Sequence, residues 1–169
     1  MIFMTVEAAE YGKIFMDRLG SGAFLTTSDG TKANTMTVSW GNLGIMWKSP
    51  IVTVMVRQTR YSKENLNKVK AFTLSVPMDD TYAAALAICG SKSGRDTDKY
   101  AATGLTTAAP QTGIVPVIAG AGLLHFECTV VYERLMDVSA LSDDLQTAWY
   151  GKDTAHTIYV GKINAVYKK

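Results

Sequence analysis

Apolar and hydroxyl side chains alternate along Asn34–Gly41, with Met36, Val38 and Trp40 on one side and Thr35, Thr37 and Ser39 on the other, the period of a half-buried strand. Gly41 and Gly44 then punctuate a stretch carrying Ile45, Met46 and Trp47, and Pro50 ends it. A strand that runs into such a glycine-rich, aromatic-bearing loop is expected to lay its own backbone against a flat bound group. Upstream, Val6–Leu19 follows a helical pattern closed by Gly20 and Gly22. Ala23–Thr27 reads as a strand, and Ser28-Asp29-Gly30 supplies the Asp-Gly pair of a tight hairpin that returns through Lys32. Downstream, Ile51–Val56 is a continuous β-branched run, expected to be a central strand buried on both faces.

The rest of the chain continues in short elements. Leu66 and Val69 fit a helix capped by Ser62 or Thr59. Ala71–Val76 is a strand stopped by Pro77, followed by a helix through Tyr82–Cys89 that Asp79 or Asp80 caps and Gly90 ends. Asp96 is expected to cap a further helix reaching Thr103, and Thr106–Pro116 is extended and poor in signal. Leu123–Glu133 is a long strand with Leu124, Phe126, Cys128, Val130 and Tyr132 on one face and His125, Glu127 and Thr129 on the other. A helix over Ser142–Tyr150, capped by Ser142 and ended by Gly151, precedes a last strand, Thr157–Val166, with His156 at its mouth and Gly161 inside as the mark of a bulge or a close neighbour. Six or seven strands with turn signals, not alternating with long helices, predict a mainly β fold: an antiparallel barrel with short peripheral helices.

Composition narrows the function. A chain of 169 residues with 47% apolar content suits one domain with a real core, residues 1–169. A net charge of +2 with scattered Lys and Arg argues against nucleic acid. The N-terminus, with Glu7 and Glu10, lacks a basic leader, and Gly113–Leu124 is too short and too rich in glycine for a membrane span, so no membrane association is expected. Cys89 and Cys128 have no C-x-x-C spacing, so neither a metal site nor a disulfide is expected, and a cytoplasmic protein fits best. Cys89 is read as a small buried residue near a helix end. No dinucleotide or Walker glycine motif and no Ser-His-acid order is present.

One segment carries candidate chemistry. Arg57-Gln58-Thr59-Arg60-Tyr61-Ser62 joins a strand to a helix start, and there backbone N–H groups, hydroxyls and guanidinium groups are the parts a phosphate monoester needs; an exposed basic turn with a capping serine is the plainer reading of the same residues. Ser91–Tyr100 is polar, with Gly94 beside Lys92, Arg95 and Lys99, and by its spacing alone is a solvated loop.

The segments GAFLTT, NTMTVSWGNLGIMWKSP, IVTVMVRQTRYSKENL, FTLSVP, CGSKSGRDTDKY and HTIYVGKI occur in an order that closely resembles the flavin reductase-like, FMN-binding split-barrel family, including its flavoredoxin-type members, from about Gly22 to Val166. The resemblance implies a split antiparallel barrel, a homodimer, and FMN, rather than FAD, in a groove at the subunit interface. It makes Asn34, Thr35, Met36, Thr37, Val38, Ser39 and Trp40 the wall along the isoalloxazine, chiefly through backbone groups. Arg57, Thr59, Arg60, Tyr61 and Ser62 become the phosphate neighbourhood, and Ser93, Gly94, Arg95 and Lys99 a second polar contact region. His156, by the same analogy, faces the side where a nicotinamide stacks, although a strand-end histidine bonded to backbone is an equally good reading. Lys162 stands where family members often have an acid.

Hydride transfer from NADH or NADPH to a flavin needs stacking and electronic tuning but no obligatory protein acid or base, so the lack of a triad accords with such a reductase. Donors near the N1/O2 edge of the ring, from the Thr37–Trp40 backbone or Lys99, would stabilise the reduced form. Three functions follow: an NAD(P)H-dependent reductase passing electrons to free flavin, ferric iron or a protein acceptor; a flavoredoxin-like carrier with bound FMN and no nicotinamide chemistry; and a ligand-binding barrel without flavin.

Overall fold

The computed structural model describes residues 11–169, so the Val6–Glu10 part of the expected first helix lies outside them. In chain order the elements are α1 (Gly12–Leu19), β1 (Ala23–Ser28), β2 (Ala33–Val38), β3 (Gly41–Met46), β4 (Ser49–Arg57), α2 (Tyr61–Lys68), β5 (Ala71–Pro77), α3 (Ala83–Ser91), α4 (Lys99–Thr103), β6 (Thr107–Ala108), β7 (Val117–Ile118), β8 (Leu123–Leu135), a 3-10 turn (Val138–Ala140), α5 (Asp143–Tyr150) and β9 (His156–Lys168). Seven strands form one antiparallel sheet in the order β2-β1-β5-β8-β9-β4-β3, with β6 and β7 paired separately.

The two edge strands of that sheet, β2 and β3, are neighbours in sequence. Only Ser39 and Trp40 separate Val38 from Gly41, a reach of at most about 11 Å. Seven strands laid flat would hold their edges about 29 Å apart. The sheet therefore curls until its edges nearly meet, and the result is a barrel split between β2 and β3. The expected antiparallel barrel with short peripheral helices is what forms.

Period-two alternation fills it. Leu25, Val54, Phe72, Leu74, Phe126, Tyr159 and Ile163 belong to one buried cluster, which Phe15 and Leu19 of α1 join, Phe15 meeting Phe126 edge-to-face at 5.7 Å. On the outer face of β1, Phe24 joins Leu86, Cys89, Leu105, Ile118 and Leu123 in a second cluster under α3 and α4. Strand β1 is thus buried on both sides, and so is β5 after Ala71. Strand β4, by contrast, buries Val52, Val54 and Val56 while Thr53 and Met55 are half-exposed. Its β-branched run does not make it central, because it lies next to the edge strand β3.

Several local expectations change. The stretch after Trp40 is not a loop: Gly41–Met46 pairs with β4 through the turn at Trp47-Lys48, where both residues have positive φ (50° and 57°), and Pro50 sits inside the ladder opposite Ile45. The Asp29-Gly30 hairpin forms, with Gly30 at φ 101°. Asp98, not Asp96, caps α4, accepting from the amides of Tyr100 and Ala101. Neither Asp79 nor Asp80 occupies the N-cap of α3, which is Tyr82, and Gly90 lies inside that helix. Arg60 holds the N-cap position of α2, so Ser62 is freed for another bond. Ser142 does precede α5, without a side-chain capping bond. A bulge at Val131 of β8, beside Gly161 of β9, breaks the simple alternation of β8, and a second at Asn164 lies in β9, opposite the Glu127–Cys128 step.

The featureless segment before Pro116 is fastened from outside itself. The buried Glu127 carboxylate accepts from the amides of Gln111 (2.5 Å), Thr112 (2.8 Å) and Gly113 (3.2 Å), and from the hydroxyls of Thr112 and Tyr167. Burial alone would raise its pKa, but these donors outweigh burial and hold it below the usual carboxylate value.

Closure depends on a glycine. A Cβ at Gly41 would lie 2.3 Å from the carbonyl oxygen of Thr53, a backbone atom that cannot rotate away. Gly41→Ala is therefore expected to cost about 1–3 kcal/mol of stability, the range for forced overpacking. Urea unfolding checks this, and an unchanged midpoint would contradict the tight β3–β4 contact.

Candidate functional site

Two adjoining cavities open beside the split, of about 280 Å³ and 200 Å³, and they share Met36 and Arg60. The first is walled by the end of β2 and the step beyond it, Met36 to Trp40, and closed by Met55, Arg57, Trp149 and His156. The second lies between the start of β2, the Thr59–Ser62 turn and the 92–99 loop.

Strand β2 presents its residues differently than a single wall would require. Asn34 donates from Nδ2 to the hydroxyl of Ser62, inside the first turn of α2, at 2.9 Å. Thr35 lines neither cavity: its hydroxyl turns toward β1, 3.3 Å from that of Thr26 and 3.4 Å from the Leu25 carbonyl it donates to. Its own carbonyl accepts from Lys99. Thr37 donates to the Leu86 carbonyl at 2.6 Å, tying β2 to α3, while Val38, Ser39 and Trp40 continue along the first cavity.

The cations separate into distinct roles. Arg57 is not grouped with Thr59–Ser62: it belongs to the first cavity, where it donates to the carbonyls of Thr154 (2.6 Å) and Trp149 (3.2 Å) and pairs with Asp153 at 3.2 Å. Arg95 lines the second cavity but is paired with Glu64 and donates to the Thr59 carbonyl. Lys99 is buried, with Nζ donating to the carbonyls of Thr35 (2.9 Å) and Cys89 (2.8 Å), and burial pushes its pKa down. Arg60 stands where the cavities join, with one long bond to the Gly90 carbonyl at 3.4 Å and no carboxylate partner among the described residues. Gly94 lets the loop press against the floor of the second cavity, since a Cβ there would fall 2.0 Å from the Asn34 side-chain oxygen. Thr59, Tyr61 and Ser93 line that cavity as the sequence grouping has it, and Lys92 and Asp96, the one acid on its wall, complete it.

Cys89 is buried near the end of α3, and burial raises its pKa, so it is a structural thiol. His156 belongs to the first cavity. Its Nδ1 lies 2.9 Å from the Tyr150 hydroxyl, and its ring is 5.3 Å from that of Trp40, which meets Trp149 edge-to-face at 4.8 Å. Burial, with Arg57 nearby, lowers its pKa to about 4, so the imidazole is neutral at physiological pH.

Four site residues are not singled out by the sequence, among them Asp96, which lines the second cavity although it reads there only as a helix cap. Met55 and Trp149 come from a strand and a helix whose relation no local pattern reveals, and Lys92 belongs to the cationic loop but was not assigned. The i,i+4 pair Leu145 and Trp149 was the available signal, since it gives α5 an apolar stripe with little to cover it. Among the described residues no group of three or more His, Cys, Asp or Glu could hold a metal. No helix among them is long and apolar enough to cross a membrane.

A seven-stranded antiparallel sheet curled on itself and split between β2 and β3 is the split-barrel fold of flavin reductase-like proteins. The chain belongs to that family: residues 16–169 match the flavin reductase like domain, and with it comes a flavin-related oxidoreductase role. Among solved structures it is similar to the flavoredoxin of Desulfovibrio vulgaris (Miyazaki F), at 21% identity over 88% of this chain and 69% of that one, with a TM-score of 0.68. Nitrilotriacetate monooxygenase component B from Bacillus cereus is similar at 18% identity, covering 87% of this chain and 68% of its own, with a TM-score of 0.67. An FMN-binding domain of a flavin reductases-like enzyme from Shewanella baltica OS155 is similar at 14% identity, 95% and 73% coverage, and a TM-score of 0.69. No curated protein matches the sequence.

Both histidines bear on pH stability. His125 is fully buried, with Nδ1 2.9 Å from the Ser75 hydroxyl, and burial lowers its pKa to about 4 as well. Because the unfolded value is near 6.5, the unfolded chain binds protons that the folded chain refuses between about 6.5 and 4. Stability is expected to be complete above that window and to fall as pH drops through it. Urea midpoints at pH 7, 5.5 and 4 test this, and His156→Gln should flatten part of the decline.

Proposed function

We propose that the chain binds FMN across the two cavities and is an NAD(P)H-dependent reductase that passes the electrons to a small-molecule or protein acceptor. The observation that carries the reading is Arg60, a guanidinium with no carboxylate partner among the described residues, at the junction of an aromatic cavity and a cationic one. The residues present fit the cofactor. Arg60, Lys92 and the hydroxyls of Ser62 and Ser93 would take the phosphate. The backbone and side chains from Met36 to Trp40 would flank the ring, with Thr35 contributing only by holding Lys99. Bound flavin supplies the capacity to accept a hydride and release its electrons singly or in pairs. Around it, this chain's part is to orient and exclude water, and the neutral His156 borders the side proposed for the nicotinamide.

A second copy of the chain completes the proposed assembly. Edge strand β3 carries Ile45, 60% exposed, and its turn carries Trp47, 64% exposed, an apolar edge of the kind soluble barrels cover. We expect Trp47→Asp to convert a dimer to monomer in sedimentation velocity; a wild-type monomer would remove the homodimer. Cys89 and Cys128, both buried and unpaired, support a cytoplasmic setting.

Two measurements test the cofactor and the donor. Arg60→Ala should weaken FMN binding about 10-fold or more, the worth of a charge-assisted hydrogen bond to phosphate, in a flavin fluorescence titration with the fold intact. Anaerobic bleaching of the flavin absorbance by NADH or NADPH should occur at catalytic rates. Bound flavin that neither dinucleotide bleaches would favour a flavoredoxin-like carrier, and a protein that takes up no FMN would leave a barrel for some other ligand.

A further inference from the structure

Tyr150, the last residue of α5, is held in place by bonds rather than by packing. Helix α5 buries none of its residues, so the core does not fix where its end lies. Arg57 does. It stands opposite His156 in the β4–β9 ladder, and its guanidinium takes hold of the turn that joins α5 to β9. It donates to the carbonyls of Trp149 and Thr154, pairs with Asp153, and lies 5.3 Å from the centre of the Tyr150 ring. Each of its three nitrogens is committed to this clamp. The chain is thereby folded back, and the Tyr150 hydroxyl comes within 2.9 Å of Nδ1 of His156, six residues further on.

That bond decides which nitrogen of His156 carries the hydrogen. Two arrangements satisfy the distance: the phenol donates to Nδ1, or Nδ1–H donates to the phenol oxygen. Burial raises the Tyr150 pKa and outweighs the opposing pull of Arg57, so the phenol keeps its proton at neutral pH. A phenol O–H is a stronger hydrogen-bond donor than an imidazole N–H, and an imidazole nitrogen is a stronger acceptor than a phenol oxygen. The first arrangement therefore wins. Burial, then Arg57 and Arg60, keeps a second proton off the ring against the opposing pull of Asp153. The single hydrogen of the imidazole then sits on Nε2. Among the described residues no group bonds that nitrogen, and unlike Nε2 of His125, which is sealed in without a partner, it is open. His156 lines the first cavity, so its N–H opens there.

We propose that Tyr150 is a positioning residue: it fixes His156 as the Nε2–H tautomer and so gives the first cavity one uncharged hydrogen-bond donor, directed at a carbonyl oxygen of the ring bound there. The tautomer stands on the Arg57–Tyr150–His156 geometry alone. That the ring is a flavin rests on the proposed cofactor. A donor of this kind distinguishes the two ends of such a ring, because a flavin carries carbonyl oxygens along its pyrimidine edge and no acceptor on its dimethylbenzene edge.

Long-range proton–nitrogen correlation spectra of protein labelled with nitrogen-15 in histidine read the tautomer at pH 7. Only two histidines contribute, and His156→Gln identifies the signals of His156 by their loss. A protonated Nε2 and an unprotonated, hydrogen-bonded Nδ1 are expected. Tyr150→Phe, which removes one oxygen, should move the Nδ1 signal to the position of an unbonded nitrogen. Arg57→Lys, which keeps the charge but not the planar fork, should do the same. A wild-type ring protonated on Nδ1, or an Nδ1 signal that neither variant moves, would overturn the assignment. Adding FMN to the wild-type protein should shift the Nε2–H signal. A fluorescence titration should give FMN affinity about five- to tenfold lower in His156→Leu, the worth of one hydrogen bond, and within about twofold of wild type in His156→Gln, whose amide keeps a donor near that position. Bound FMN that leaves the Nε2–H signal unmoved would overturn the donor role. A protein that takes up no FMN would remove the cofactor reading, and with it the flavin as acceptor, while the tautomer result stands.

Discussion

The structure depends on a two-residue crossing. Ser39 and Trp40 carry the chain from one edge of the seven-stranded sheet to the other, and no flat or gently twisted sheet permits that step. Curling follows from chain connectivity, and the interior that curling creates is filled by the inward residues of β1, β4, β5, β8 and β9. The same crossing creates the site. Where the two edges approach without pairing, β2 keeps an unpaired side, and the 92–99 loop, Arg60 and α5 gather around it.

Polar groups then fix the parts the core does not reach. Lys99 joins the Thr35 and Cys89 carbonyls, Thr37 bonds the Leu86 carbonyl, and Asn34 bonds Ser62, so β2 is tied to three separate segments by side chains from both directions. Each bond spends a group that might otherwise face a ligand. What remains uncommitted is informative for that reason: of the arginines around the cleft, Arg57 and Arg95 are paired with carboxylates, and Arg60 is not.

Much of the barrel was legible in the sequence, because period-two alternation and the Asp29-Gly30 turn are local signals. The β3 strand was not, since Gly41 and Gly44 read as loop residues while their real use is close approach to β4 and an edge position. Burial misled for β4: a β-branched run signals a strand, but its neighbours decide how many faces are covered. Within the site, the groupings Met36–Trp40, Thr59–Ser62 and Ser93–Lys99 came together as segments. The fate of single side chains did not follow from sequence: Thr35 turns to β1, Arg57 reaches residues 149–154, and Asp98 rather than Asp96 takes the cap. Those outcomes are set by partners distant in the chain.

The Glu127 carboxylate shows where such distant information resides. It recognises the segment before Pro116 by main-chain amides, across as many as sixteen residues of sequence. Side chains at 111 and 113 are therefore nearly free to drift through evolution, while proline at 111, 112 or 113 is forbidden because it would delete a donor. A stretch that looks blank on the page is thus written in another strand, and homologues should be aligned there by their buried acid and not by the loop itself.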